Sequence, residues 1–201
     1  MRATRHLPED YHRAGSLDIS EDARLQVLLT VAGAVLFVGF GWLFLFVLGW
    51  MRPDVGAMGM SLEVASVGQL LSLVLVLALV VAGVIVLHEA VHGLFFWLIT
   101  GSKPVFRFRV VFASAGAPDW YLPCRQYTVV GVAPLVVITG IGLILLAAVP
   151  HEWLPPALLF LSLNAGGSVG DLAVVVWLRA QPPTCVANDR GDRVTLYRPR
   201  S

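Results

Sequence analysis

Charge is scarce in this sequence. Asp, Glu, Lys and Arg make up only 13% of its 201 residues, against 57% hydrophobic ones, and its long uncharged apolar runs exceed what a soluble core of this size needs. Basic residues have no surplus either, since 14 Lys plus Arg face 13 Asp plus Glu. Net charge therefore points to neither nucleic acid nor an acidic partner. Cysteine is limited to Cys124 and Cys185, with no CxxC or CxxH spacing, and both read as ordinary thiols. Internal repeats and a separate soluble domain are lacking as well.

What is present is built for lipid. Four stretches, Leu25 to Trp50, Val67 to Thr100, Val129 to Val149 and Leu154 to Leu178, reach the roughly 20 apolar residues that cross a hydrocarbon layer of about 30 Å. The first follows a polar leader and is too long for the apolar stretch of a signal peptide, so it is expected to stay in the mature protein. Thirteen of the fourteen basic residues fall before span one, between spans two and three, or after span four, and Arg52 stands alone in the other connections. The positive-inside rule makes the thirteen-residue side cytoplasmic, with both termini inside. Trp50 and Trp153 then mark the outer interface and Trp97 and Trp177 the inner one.

The expected fold is an all-α membrane protein of four transmembrane helices. Residues 25–178 form one transmembrane domain between a cytoplasmic tail at 1–24, which shows no sustained apolar period, and another at 179–201. A short cytoplasmic β-hairpin is expected between helices two and three. Its first strand is Pro104 to Phe112, where Phe106, Phe108 and Val110 alternate with Arg107 and Arg109. Ala115 to Asp119 supplies the turn, and Trp120 to Thr128 the returning strand. Tyr121 and Tyr127 read as interface anchors.

Inside span two stands His88-Glu89-Ala90-Val91-His92. Residues four apart on a helix share a face, so both imidazoles can reach one metal, while Glu89 on a neighbouring face can reach a water beside it. A carboxylate in the middle of an apolar helix costs several kcal/mol, about 2.5 to 3.5 on insertion scales, unless it is paired or functional. The alternative is a buried polar packing network. Asp171 is the other ionisable side chain within the spans, and it stands as third zinc ligand or as a helix-capping carboxylate. Before it runs Asn164-Ala-Gly-Gly-Ser-Val-Gly170, whose small residues let helices approach closely or let one loosen beside a cavity. Asn164 lies close to two turns before Asp171, where it can bond a substrate carbonyl or oxyanion, or else a neighbouring helix. Ser168 is a weaker candidate.

HEAVHG at His88 to Gly93, the hairpin after it, Gly131-x-x-Pro134 and NAGGSVGD at Asn164 to Asp171 resemble the intramembrane zinc metalloproteases of the site-2 protease clan. The likeness is nearest to a compact bacterial group of zincin peptidases. Site-2 proteases proper carry a proline shortly after the asparagine and a glycine after the aspartate, where this chain has Ala165-Gly166-Gly167 and Leu172. The resemblance implies Zn²⁺ on His88, His92 and Asp171, Glu89 as general base, and Asn164 beside the oxyanion. It also implies a membrane-protein or peptide substrate, cut in the cytoplasmic half of a bacterial inner membrane. A non-catalytic metal-binding scaffold or partner-binding protein is the rival reading. A metal transporter is a third, but spans one and three carry no ionisable side chain to line a path. Reporter fusions test the orientation: a fluorescent protein joined after residue 200 should fluoresce, and alkaline phosphatase joined there should be inactive.

Overall fold

The computed structural model describes residues 2–19, 22–58, 66–108, 113–191 and 193–200. Four helical stretches in it are long and apolar enough to cross a bilayer. Helix α1 (Ala23–Met51) starts where the Asp22 side chain accepts the Arg24 and Leu25 amides, donors that no earlier turn can satisfy. A short helix, α2 (Pro53–Met58), follows at its far end. Helix α3 (Val67–Thr100) is capped by Ser66 and ends at Gly101, whose φ of 68° is the left-handed conformation that closes a helix. Helix α4 (Cys124–Leu146) contains Pro134. The fourth stretch breaks at Ser168 into α5 (Leu154–Gly167) and α6 (Val169–Arg179). That break sits where Gly166 and Gly167 weaken the helix.

Only 6% of the most apolar window of α3 is buried within the protein, against 39% for the α5–α6 stretch. Most of α3 thus faces outward from the protein, as a membrane-crossing helix can, and its buried residues, His88, Val91, His92, Gly93 and Phe96 among them, lie in its second half. Lipid is as apolar as leucine, so burying side chains between these helices gains little by transfer. Close packing and hydrogen bonds must hold them. One apolar cluster, with Phe44, Leu48, Val91, Ile138 and Leu158, fills the end near α2. A second, with Phe96, Leu122, Val130, Leu178 and Leu196, fills the opposite end.

At that opposite end the expectation of an all-α chain fails, because the two tails are strands. Strand β1 (Tyr11–Asp18) pairs antiparallel with β6 (Arg193–Pro199), which pairs with β5 (Val186–Asp189), which pairs with β4 (Tyr121–Pro123). The sheet order is β1-β6-β5-β4. The leader spans the whole sheet, since Thr4 exchanges two backbone hydrogen bonds with Tyr121 at the β4 edge before β1 runs along the other. Its pairing is long-range, and the alternation of apolar side chains that would announce it is missing.

The hairpin exists with a different second strand. Strand β2 (Val105–Phe108) pairs with β3 (Ala113–Gly116) in a two-stranded sheet, and residues 109–112 of the expected strand lie outside the described residues. Trp120 to Thr128 does not return to it: Tyr121 to Pro123 joins the larger sheet and α4 begins at Cys124, five residues before the expected span. Tyr127 is consequently not an interface anchor but a buried residue, its ring edge-on to Phe96.

The two cysteines are bonded to each other, contrary to their reading as free thiols. The β4–β5 pairing brings Cys124 and Cys185 to adjacent strand ends, with Cα atoms 5.6 Å apart across 61 residues of sequence. A bond closing a loop of that size stabilises by about 4 kcal/mol on chain entropy. Cys185→Ser should therefore lower the thermal midpoint in detergent, and wild type treated with dithiothreitol should fall to the same value.

Candidate metal centre

The site is built where α3, α4 and the α5–α6 break meet. His88 Nε2 lies 3.0 Å from Asp171 Oδ2, and His92 Nε2 lies 3.2 Å from Asp171 Oδ1. One donor atom from each of the three residues falls within 4.8 Å of the other two. Donors at zinc bonding distance, about 2.0 to 2.2 Å, stand roughly 3.3 Å apart in a tetrahedron, so this donor set fits a zinc ion. Asp171 sits in the first turn of α6, where the helix dipole favours a negative charge.

Each histidine is oriented by its other nitrogen. His88 Nδ1 donates to Asn164 Oδ1 at 3.1 Å, and His92 Nδ1 donates to the Val130 carbonyl at 3.1 Å. That carbonyl is free to accept because its helical partner would be the N–H of residue 134, and Pro134 has none. With Nδ1 protonated on both rings, both Nε2 lone pairs are left for the ion. The Pro134 carbonyl in turn accepts from Asn164 Nδ2 at 3.4 Å. Asn164 is fully buried with its amide bonded on both sides, the helix-bonding contact that the sequence also allowed. The Ser168 hydroxyl donates to the Asn164 carbonyl and secures the helix break.

Glu89 is held by the hairpin. Its Oε2 accepts the Ala115 N–H of β3 at 2.6 Å, so the carboxylate has one oxygen fixed and the other open. Two glycines let the framework close to this distance. A Cβ on Gly93 would stand 2.5 Å from the Phe106 ring of β2, and one on Gly131 would stand 2.7 Å from Val175 of α6.

His88, Glu89, His92 and Asp171 all line one cavity of about 880 Å³, within the ordinary size range of ligand sites. Val84, Ile85, Phe96, Val130 and Val174 make its apolar walls, and Leu17, Ile19 and Gln26 of the leader and early α1 border it. One wall carries a residue that the sequence reading passed over, Asp189 at the end of β5. Its Oδ2 accepts the Tyr127 hydroxyl and its Oδ1 the Gly191 N–H at 2.6 Å. Burial raises its carboxyl above the ordinary value, while the Tyr127 hydroxyl, the Gly191 N–H and the nearby His92 work in the opposite direction. No signal in the sequence separates Asp189 from the polar tail around it, because the sheet alone turns it inward.

His88, His92 and Asp171 converge beside a glutamate, in a body of helices long and apolar enough to cross a membrane, as a group that could hold a metal ion. The chain belongs to the family described as "Putative zincin peptidase", which matches residues 81–186, just over half of its length. No curated protein and no solved structure matches the chain. The family description points to a zinc peptidase. Metal content by mass spectrometry tests the ligand set: purified protein should carry about one zinc per chain, lost in His88→Ala and Asp171→Ala and kept in Glu89→Gln. Asn164→Ala and Pro134→Ala leave the ligands but loosen their supports, so in chelator competition each should bind zinc roughly 10- to 100-fold more weakly.

Proposed function

We propose that this protein is a zinc-dependent peptidase that hydrolyses a peptide bond at or within a bacterial inner membrane. The observation that carries the reading is a single cavity faced by a three-residue ligand set and by Glu89, whose second oxygen no ligand role requires. A metal-binding scaffold has no use for a carboxylate held beside its ion and kept out of its coordination.

Zinc at this centre would supply a Lewis acid that acidifies water and polarises a carbonyl. The chain's own residues do the rest. Asn164 and the Val130 carbonyl keep the protons of both histidines on Nδ1. Glu89, anchored at Oε2 by Ala115, takes a proton at Oε1 from the attacking water and passes it to the departing amine as the C–N bond breaks. Val84, Phe96 and Val174 exclude bulk water and so strengthen these interactions. The break at Ser168 puts Asp171 beside the cavity while the stretch holding α5 and α6 is still long and apolar enough to cross the layer.

The distribution of the basic residues supports a cytoplasmic strand-bearing end, and with it an active site in the cytoplasmic half of the membrane. On that topology cytoplasmic reductants keep Cys124 and Cys185 as thiols, and the bonded form belongs to oxidising conditions.

Protein reconstituted in liposomes with zinc, offered fluorescein-casein and a proteome-derived peptide library, tests the activity. Cleavage should be abolished by chelator, restored by zinc, and reduced at least about 100-fold in Glu89→Gln with zinc content unchanged. Bound zinc without cleavage of any probe would leave the scaffold reading in place.

A further inference from the structure

Asp189 has no task in the chemistry above. It is buried at 6% exposure, it faces the catalytic cavity, and among the described residues no lysine or arginine pairs with it. The basic side chains nearby are engaged elsewhere: Arg190 Nε donates to Asn188, Arg193 to Asp18, and Arg107 to the Arg190 carbonyl. Both of its hydrogen bonds come from neutral donors, the Tyr127 hydroxyl and the Gly191 amide. Each carboxylate oxygen keeps further lone-pair capacity, and a buried carboxylate with no lysine or arginine bonded to it is costly.

A second, independent observation lies beside it. The Ser114 hydroxyl is buried, lines the same cavity and has no hydrogen-bond partner among the described residues. It sits against Gly191, where a Cβ would come within 2.6 Å of Ser114 Oγ. Gly191 also has a φ of +90°, a conformation that side-chain-bearing residues rarely adopt. One wall of the cavity thus combines an unpaired carboxylate, an unpartnered hydroxyl and a backbone cleared of side chain. The metal ligands and Glu89 line the same cavity, with Glu89 bonded to Ala115, the residue next to Ser114.

We propose that Asp189 and Ser114, with Tyr127 behind them, form a subsite for a protonated primary amine of the substrate, supplied by a free N-terminus or by a lysine side chain. The inference rests on the peptidase reading and extends it to specificity. An ammonium brings a positive charge to the carboxylate and three donors, one of which the Ser114 oxygen can accept. Holding the amine there fixes the distance from it to the bond presented beside Glu89, so cleavage falls at a set spacing from the amine.

Zinc-loaded protein in liposomes is given a proteome-derived peptide library, and each peptide cut is resynthesised free, N-acetylated, or with norleucine for lysine. The subsite predicts cleavage at a fixed spacing from one amine. Acetylation should lower kcat/KM at least about tenfold if the N-terminus is the source, and norleucine should do so if lysine is. Asp189→Asn should bring the ratio of kcat/KM for amine-bearing over blocked peptide toward one, with zinc content unchanged, and Asp189→Glu should restore part of it. Because the comparison of free with blocked peptides also runs on wild type, the test survives a variant that does not fold. Equal loss on both peptides in Asp189→Asn, or cleavage indifferent to either block, would overturn the subsite and leave the peptidase reading intact. Equilibrium binding of the same peptides is measured alongside. Binding that prefers the free amine without any cleavage would overturn the peptidase reading and keep the subsite. Neither cleavage nor binding would overturn both.

Discussion

A missing hydrogen atom governs this site. Pro134 cannot donate to the Val130 carbonyl, and the acceptor so released takes the Nδ1 proton of His92. In a hydrocarbon layer no water stands ready to satisfy an orphaned carbonyl, so the proline creates a demand that the histidine alone among these contacts meets. The Pro134 carbonyl, one helical turn further on, holds the Asn164 amide, whose oxygen fixes His88. Three helices are thereby tied through the positions of two protons, and the ligand atoms turned toward Asp171 follow from those ties. Such bonds contribute specificity of geometry where apolar contact, equally available from lipid, cannot.

The sheet at one end works by another physics. There the Leu122, Val186, Leu196 and Ala187 side chains are withdrawn from water as in any soluble core. This layer reaches into the helical body at two points: β3 gives a backbone N–H to Glu89, and β5 delivers Asp189 to the cavity wall. The candidate metal ligands belong to the helices, whereas the Glu89 carboxylate and the Asp189 wall are positioned by strands. On the proposed reading, loosening the strand layer disturbs proton transfer and substrate fit before it disturbs the ion.

The parts legible in the sequence were those whose signal is local. Hydropathy marks α1 and α3 to within two residues at each end, and the spacing of His88 and His92 places two donors on one face without any tertiary knowledge. Asp171 was legible by its isolation in apolar surroundings, and the small residues before it anticipated the break at Ser168. The sheet was not legible, since YHRAGSLD has only Tyr11 and Leu17 as large apolar residues and owes its strand conformation to a partner nearly 180 residues away. The disulfide and the burial of Tyr127 were hidden for the same reason, both being products of the β4–β5 pairing. Even the carboxylate base, readable from its neighbours in the helix, gave no hint that a strand amide would anchor it.

The order in which a ribosome releases this chain gives the β1–β6 pairing a temporal meaning. Strand β1 emerges before every helix, yet its partner β6 emerges after them all. A nascent polypeptide therefore carries all three ligand residues while its strand layer is still unfinished and the cavity lacks the Asp189 wall. The donor set can assemble before closure, but the proposed amine subsite has to wait for β5 and β6. A chain stalled shortly after Arg179 would hold the donor set open on the side of that proposed subsite.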